Sequence, residues 1–160
     1  MTERPQGNDR KRNIYLLGLV SLLNDASSEI IQPILPLFLA SLGAGGLAVG
    51  LIGGLADGIP SFFKLLSGYW ADRLGRRKPL VALGYSVSAA GKLLLTLAAS
   101  WQHIFLLKTI ERSGKGIRSA PRDAIIAESA PRVGRGRGFG IHRALDSLGA
   151  VVGSLLAYLL

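Results

Sequence analysis

Apolar residues gather in long blocks along this chain, and polar residues fall between the blocks. Five blocks can be read, at about 13–40, 47–70, 80–99, 103–129 and 139–160. At about 1.5 Å of rise per residue, each is long enough as a helix to cross a hydrocarbon layer roughly 30 Å thick. The pattern therefore predicts an all-α, polytopic membrane bundle of about five spans behind a polar tail over residues 1–12. The tail is expected to be flexible and cytosolic. In the first block, NDASSE at Asn24–Glu29 together with Pro33 and Pro36 predicts an interruption and a kink. A secretory signal is the alternative for this start, but everything downstream is also apolar.

The breaks between blocks have their own signals. Ser41–Gly46 is a Gly-rich turn. Gly46, Gly50, Gly54 and Gly58 then form a stripe of small residues along the second span, read as internal helix packing rather than a dimer contact. Ser100–Gln102 reads as a tight turn, with Trp101 as an interface anchor. Pro131–Gly138 reads as a basic loop. Four cations lie in the tail, four in the loop after the second span and three, Arg132, Arg135 and Arg137, after the fourth. The other two turns hold none. Cations retained on the cytoplasmic side place the N-terminus in the cytosol, in a multi-pass cytoplasmic (inner) membrane protein.

Composition narrows the function classes. The chain is 49% hydrophobic, carries a formal net charge of +9 and has no Cys. A disulfide framework and thiolate metal ligation are excluded. His103 and His142 are far apart, so no metal site is expected, and no cofactor. The cations track helix ends rather than one exposed face, which argues against nucleic acid as a partner. GKGIRS lacks the Ser or Thr and the upstream Gly of a phosphate loop, and GAGGLA follows a membrane helix rather than a strand. An enzyme is not expected.

The fourth span is polar for a membrane helix. Lys108, Glu111, Arg112, Lys115, Arg118, Arg122 and Asp123 share an arc of roughly 140° on a helical projection. A charge at hydrocarbon depth costs several kcal/mol against lipid, so this face looks onto a polar cavity or paired charges. Arg118, Arg122 and Asp123 have a second reading, snorkelling to the interface. Arg112 and Lys115 are too deep for that. On the first span Ser21, Asp25, Ser28, Glu29 and Gln32 share one face. Asp25 and Glu29, one turn apart, can bind and release a proton or form a fixed ion pair with the fourth span. Asp25, Glu29, Arg112 and Lys115 are the candidates for substrate or proton coupling. The excess of cations points to an anionic or amphiphilic solute.

The loop GYWADRLGRRKPL, between the second and third spans, resembles a signature of the major facilitator superfamily of secondary transporters, carried by Gly68, Asp72, Arg73, Gly75, Arg76 and Arg77. Arg112-Ser-Gly-Lys115-Gly116 is similar to that superfamily's fourth-helix Arg-x-x-Gln-Gly, with Lys115 in place of Gln. Gly149-Ala150-Val-Val-Gly153 is similar to the fifth-helix Gly-Pro-x-x-Gly of antiporters, with Ala150 in place of Pro, and marks Gly149 and Gly153 as packing residues. The resemblance implies two six-helix halves that rock around a central cavity. It also implies a gating loop in which Asp72 faces the second half, and a role for Arg112 in coupling or substrate binding. With about five spans and an end inside AYLL, the chain reads as the N-terminal portion of such a transporter. Its expected partners are the lipid bilayer, a small-molecule solute and the missing C-terminal half. The alternative is a non-transporting membrane remnant or a partner-binding membrane subunit.

Overall fold

A computed structural model describes residues 7–130 and 135–159 of the chain. Five α-helices follow one another: α1 Gly7–Ser41, α2 Gly46–Leu74, α3 Arg77–Leu95, α4 Trp101–Ser129 and α5 Arg135–Leu159. The fold is all-α. Residues 1–6 of the expected tail, Pro131 to Gly134 of the expected basic loop (Arg132 among them) and Leu160 lie outside the described residues.

Several local expectations are corrected. Residues 7–12 belong to α1, not to a flexible tail. NDASSE does not interrupt the helix, which continues from Gly7 to Ser41. The hydroxyls of Ser27 and Ser28 donate to the carbonyl of Asn24 at 2.8 and 3.1 Å. Side chains that bond back into their own helix need no water, so a polar patch survives as helix. Trp101 and Gln102 are not a turn but the first residues of α4. Ser100 starts that helix, its carbonyl accepting from the Ile104 amide at 3.2 Å. Arg135 to Gly138 are the start of α5 and not loop.

Glycine makes the tight connections. Gly43 has φ +75° in the α1–α2 turn, and Gly75 has φ +61° after α2. The Gly75 amide donates to the Ala71 carbonyl at 3.1 Å, closing α2 with a left-handed residue that a side chain would strain. Only Gly75 and Arg76 then separate α2 from α3.

The described chain divides into two compact units. The first contains residues up to Pro33 and from Asp123 onward. In it α5 lies directly on α1. A Cβ built on Gly149 would strike the Leu22 carbonyl oxygen, and one on Gly153 the Ala26 carbonyl oxygen. One turn earlier the bulk is reversed, with Leu145 filling the space over Gly18. Positions 18, 22 and 26 thus meet 145, 149 and 153. Numbers rise together at four-residue steps, so the two helices run parallel with their small residues in register.

The second unit spans Ile34–Arg122. Here α4 is wedged by its own glycines against two partners. A Cβ on Gly114 would lie 2.6 Å from the Gly84 carbonyl and the Ser88 amide of α3. A Cβ on Gly116 would lie 2.6 Å from the Pro60 carbonyl and Phe63 Cβ of α2. Pairs 84–118 and 91–111 run in opposite senses, so α3 and α4 are antiparallel. Pairs 60–116 and 68–120 make α2 and α4 parallel. Ser67 reinforces the second contact, its hydroxyl donating to the Gly116 carbonyl at 3.2 Å.

The stripe on α2 behaves differently from its expectation. No atom of the described residues lies within 4 Å of a Cβ on Gly46, Gly50, Gly54 or Gly58. The internal packing expected of them is absent among the described residues. Leu47, Leu51, Phe62 and Leu65 of the same helix are also exposed. By length and hydropathy alone, Arg12–Ser41 and Gly46–Leu74 suffice to cross a membrane.

Candidate functional site

The charged face of α4 is turned into the second unit. Lys108, Glu111, Arg112 and Arg118 are 3%, 0%, 7% and 0% exposed. Lys115 is half-buried. Apolar Ile110, on the other side, is exposed. This helix is inside out by the standard of a water-soluble protein, where charge faces solvent.

Three of these side chains form one group. Lys108 Nζ lies 3.5 Å and Arg112 Nε 3.3 Å from the same oxygen, Oε2 of Glu111. Glu111 is therefore the shared acid of two buried cations. It sits on the α3 side, where Gly91 gives it room: a Cβ there would come within 3.0 Å of Glu111 Cβ. Lys108 and Arg112 also line a narrow crevice between α4 and α2, with Ile52, Leu55, Ala56 and Ile59 opposite and Phe105 and Thr109 beside them.

Nearly two turns beyond Arg112, Arg118 is not a snorkelling residue. Its guanidinium carbon is 4.4 Å from the Tyr85 ring centroid, a cation–π distance, and its Nη1 donates to Ser88 Oγ at 3.2 Å. Ser88 in turn donates to the Glu111 carbonyl at 2.8 Å. Gly84 makes this possible, since a Cβ there would be 2.7 Å from the Arg118 backbone nitrogen. Arg122 is also buried, at 9% exposure. Ser88, Tyr85, Gly84 and Gly91 were not singled out from sequence. The spacing Gly84, Ser88, Gly91, with small residues one helical turn apart, was the signal available.

The remaining candidates fall in two places. Asp25 and Glu29 are in the first unit, Asp25 buried at 7% and Glu29 half-buried. Ser21, on the same face, donates to Asp146 Oδ1 of α5 at 2.6 Å. The other oxygen of Asp146 faces Arg143 Nη1 at 3.9 Å. In the α2–α3 turn, Arg77 Nη2 meets Asp72 Oδ1 at 3.4 Å, while Asp72 stays 77% exposed. A pair so exposed contributes little to stability. Arg73 donates to the Tyr69 hydroxyl at 2.7 Å. Gly68 lies against α4, a Cβ there being 3.5 Å from Ala120 Cβ.

The sequence matches the family model of the Major Facilitator Superfamily over residues 17–160. The chain belongs to the Major Facilitator Superfamily. As a member, it is an integral membrane protein built as a helical bundle, and it corresponds to an N-terminal portion of that fold. It is 51% identical, over 95% of its length, to an uncharacterized MFS-type transporter of Methanocaldococcus jannaschii. An uncharacterized protein of Mycobacterium tuberculosis is 37% identical over 90% of the chain. A multidrug resistance protein, MdtG, of Yersinia enterocolitica is 30% identical over 100% of it. The chain spans 38%, 35% and 39% of those proteins' own lengths.

Within this superfamily member, both signature stretches acquire a physical reading. Gly75 is the left-handed residue that ends α2. In Arg112-Ser-Gly-Lys115-Gly116, the two glycines hold α4 against α3 and α2, and Arg112 is half of the cation pair on Glu111.

Proposed function

We propose that this chain forms part of a secondary transporter that exports a small solute by alternating access. The observation that carries the reading is the charged face of α4 in a major facilitator superfamily member, withdrawn from the outer surface rather than exposed on it. Charge at that depth is a functional site by default in a membrane helix. The multidrug resistance protein MdtG among the relatives supports efflux as the direction.

In this reading all five helices span the cytoplasmic membrane with the N-terminus in the cytosol. Arg112 and Lys115 serve the solute or its coupling. Asp25 and Glu29 carry a proton, which makes the export proton-coupled. Asp72, Arg73, Arg76 and Arg77 form a cytoplasmic gate, and Gly149 and Gly153 keep α5 on α1 while the helices move. In this reading the helices that complete the pathway correspond to the part of the relatives' length that this chain does not cover.

The test is flux in proteoliposomes under an imposed pH gradient, with a panel of lipophilic cations, zwitterions and organic anions. The chain is assayed alone and with any in-frame continuation of its gene. Arg112→Ala is expected to abolish flux, a fall of at least a hundredfold, while membrane insertion is unchanged. Flux at the wild-type rate in this variant overturns the role of Arg112. Absence of wild-type flux in both forms favours a non-transporting membrane subunit instead.

A further inference from the structure

Asp57 sits where a membrane helix rarely keeps an acid. α2 runs from Gly46 to Leu74, 29 residues. At about 1.5 Å per residue, Asp57 lies about 16 Å from the first end and about 25 Å from the second. A hydrocarbon layer roughly 30 Å thick, centred on this helix, covers Asp57 by about 10 Å. Asp57 is exposed, and among the described residues nothing hydrogen-bonds or pairs with its carboxylate. The aspartate side chain is too short to snorkel that distance, whereas Lys64 has the stem for it. An ionised carboxylate against acyl tails is strongly unfavourable.

The neighbours of Asp57 are no better suited to lipid. Gly50, Gly53, Gly54, Asp57, Ser61 and Lys64 share an arc of about 100° on a helical projection. A Cβ on any of these three glycines would find no described atom within 4 Å, and Asp57, Ser61 and Lys64 are exposed. The adjoining arc carries the exposed Leu47, Leu51, Phe62 and Leu65. On a third side, Pro60 and Phe63 meet α4. α2 thus has one side for lipid, one for α4 and one that suits neither. Small residues let another helix approach closely, and polar side chains between them hold it.

We propose that this open side of α2 receives a membrane-spanning helix from the continuation of the polypeptide, bearing a Lys or Arg at the depth of Asp57 and small residues where it crosses Gly53 and Gly54. The chain spans 38%, 35% and 39% of the lengths of three relatives, so more than half of such a protein is left to supply the helix. Charge complementarity selects the facing residue. A cation beside Asp57 gives the carboxylate a charge-assisted hydrogen bond in place of lipid, bidentate from arginine or single from lysine. A second copy of this chain fits worse. It would insert the same way round, and a two-fold contact on this side would set Asp57 against Asp57.

In the experiment this chain and the in-frame continuation of its gene are produced as two polypeptides in one membrane, and copurification in mild detergent is read through a tag on this chain. The wild type is expected to retain the continuation. Asp57→Lys lowers the retained amount at least tenfold and Asp57→Asn at least threefold, while Asp57→Glu keeps most of it. Membrane insertion and near-ultraviolet circular dichroism of this chain alone are expected to stay unchanged in the Asn and Glu variants, since nothing in the chain pairs with Asp57. Gly54→Leu on the open side also lowers retention, and Leu51→Ala on the lipid side does not. Charge exchange decides the matter. In the Asp57→Lys background, each Lys or Arg inside an apolar span of the continuation is changed in turn to Asp, and one such change is expected to restore retention. Undiminished retention in both the Asn and Lys variants, or restoration by none of the exchanges, overturns the proposal. Recovery of a second, differently tagged copy in place of the continuation overturns it too, as does a gene that ends with this chain. Flux is no part of the readout, so a failure of transport leaves this contact standing.

Discussion

Glu111→Ala is expected to destabilise the protein by about 3–5 kcal/mol, because it removes the acid that two buried cations share. The side chain of Glu111 is fully buried, and those of Lys108 and Arg112 nearly so. Both cations are withdrawn from the surface together with it. In hydrocarbon the cost of an isolated charge is higher still than in a water-soluble core. The measurement is reversible unfolding in mixed micelles against denaturing detergent, with near-ultraviolet circular dichroism as the readout. The informative control is the triple change Lys108→Met, Glu111→Met and Arg112→Met. A buried ion cluster replaced whole by apolar side chains of similar size is often neutral or stabilising. The triple variant is therefore expected to recover most of the stability that the single variant loses. A loss below about 1 kcal/mol in Glu111→Ala would mean that the cations do not depend on this carboxylate.

Gly114→Leu is expected to force α3 and α4 apart and to lower stability by about 3 kcal/mol, the upper end of the overpacking range. The first carbon of any side chain there would already lie 2.6 Å from two backbone atoms of α3. Backbone cannot swing aside as the tip of a flexible side chain can. The Ser88 hydroxyl, 2.9 Å from the same point, would lose its place between Glu111 and Arg118. The matched control is Gly54→Leu on α2, where nothing lies within 4 Å. That change is expected to be neutral, or slightly stabilising through helix propensity worth up to about 1 kcal/mol. Thermal unfolding of both variants in the same detergent separates a packing glycine from one on an open face. Equal melting temperatures would refute the close approach of α3 and α4.

The periodicity that made the blocks legible also limited what they said. Helical projection put Lys108, Glu111, Arg112 and Arg118 on one face, and all four are buried together. It could not say that Glu111 serves both neighbours through one oxygen, since that depends on rotamers and on the room left by Gly91. The same limit explains Arg118. Its distance along the helix allowed a reach to the interface, but Tyr85 and Ser88 on the antiparallel α3 hold it inside. Glycine spacing misled in one place. Gly46, Gly50, Gly54 and Gly58 have the cleanest four-residue repeat and touch nothing among the described residues. Gly149 and Gly153 on α5 lie close against the α1 backbone at Leu22 and Ala26. A stripe of small residues permits close approach without naming a partner. A polar run such as NDASSE breaks a membrane helix only where its side chains have no partner in the helix itself. Ser27 and Ser28 instead satisfy themselves on the Asn24 carbonyl.

Sequence by itself determined the solvent, the helices and the family. Block length against bilayer thickness, the basic loop between α2 and α3, and the spacing Gly68, Asp72, Arg73, Gly75, Arg76, Arg77 are all local quantities, readable along one dimension. Tertiary structure alone decided which charges meet and which glycines bear contact. Those outcomes depend on the relative direction and register of helices far apart in the chain. Parallel α1–α5 and α2–α4 contacts and an antiparallel α3–α4 contact bring residues together that no window of sequence contains. At van der Waals range, a shift of one residue in register would exchange an open face for a packed one.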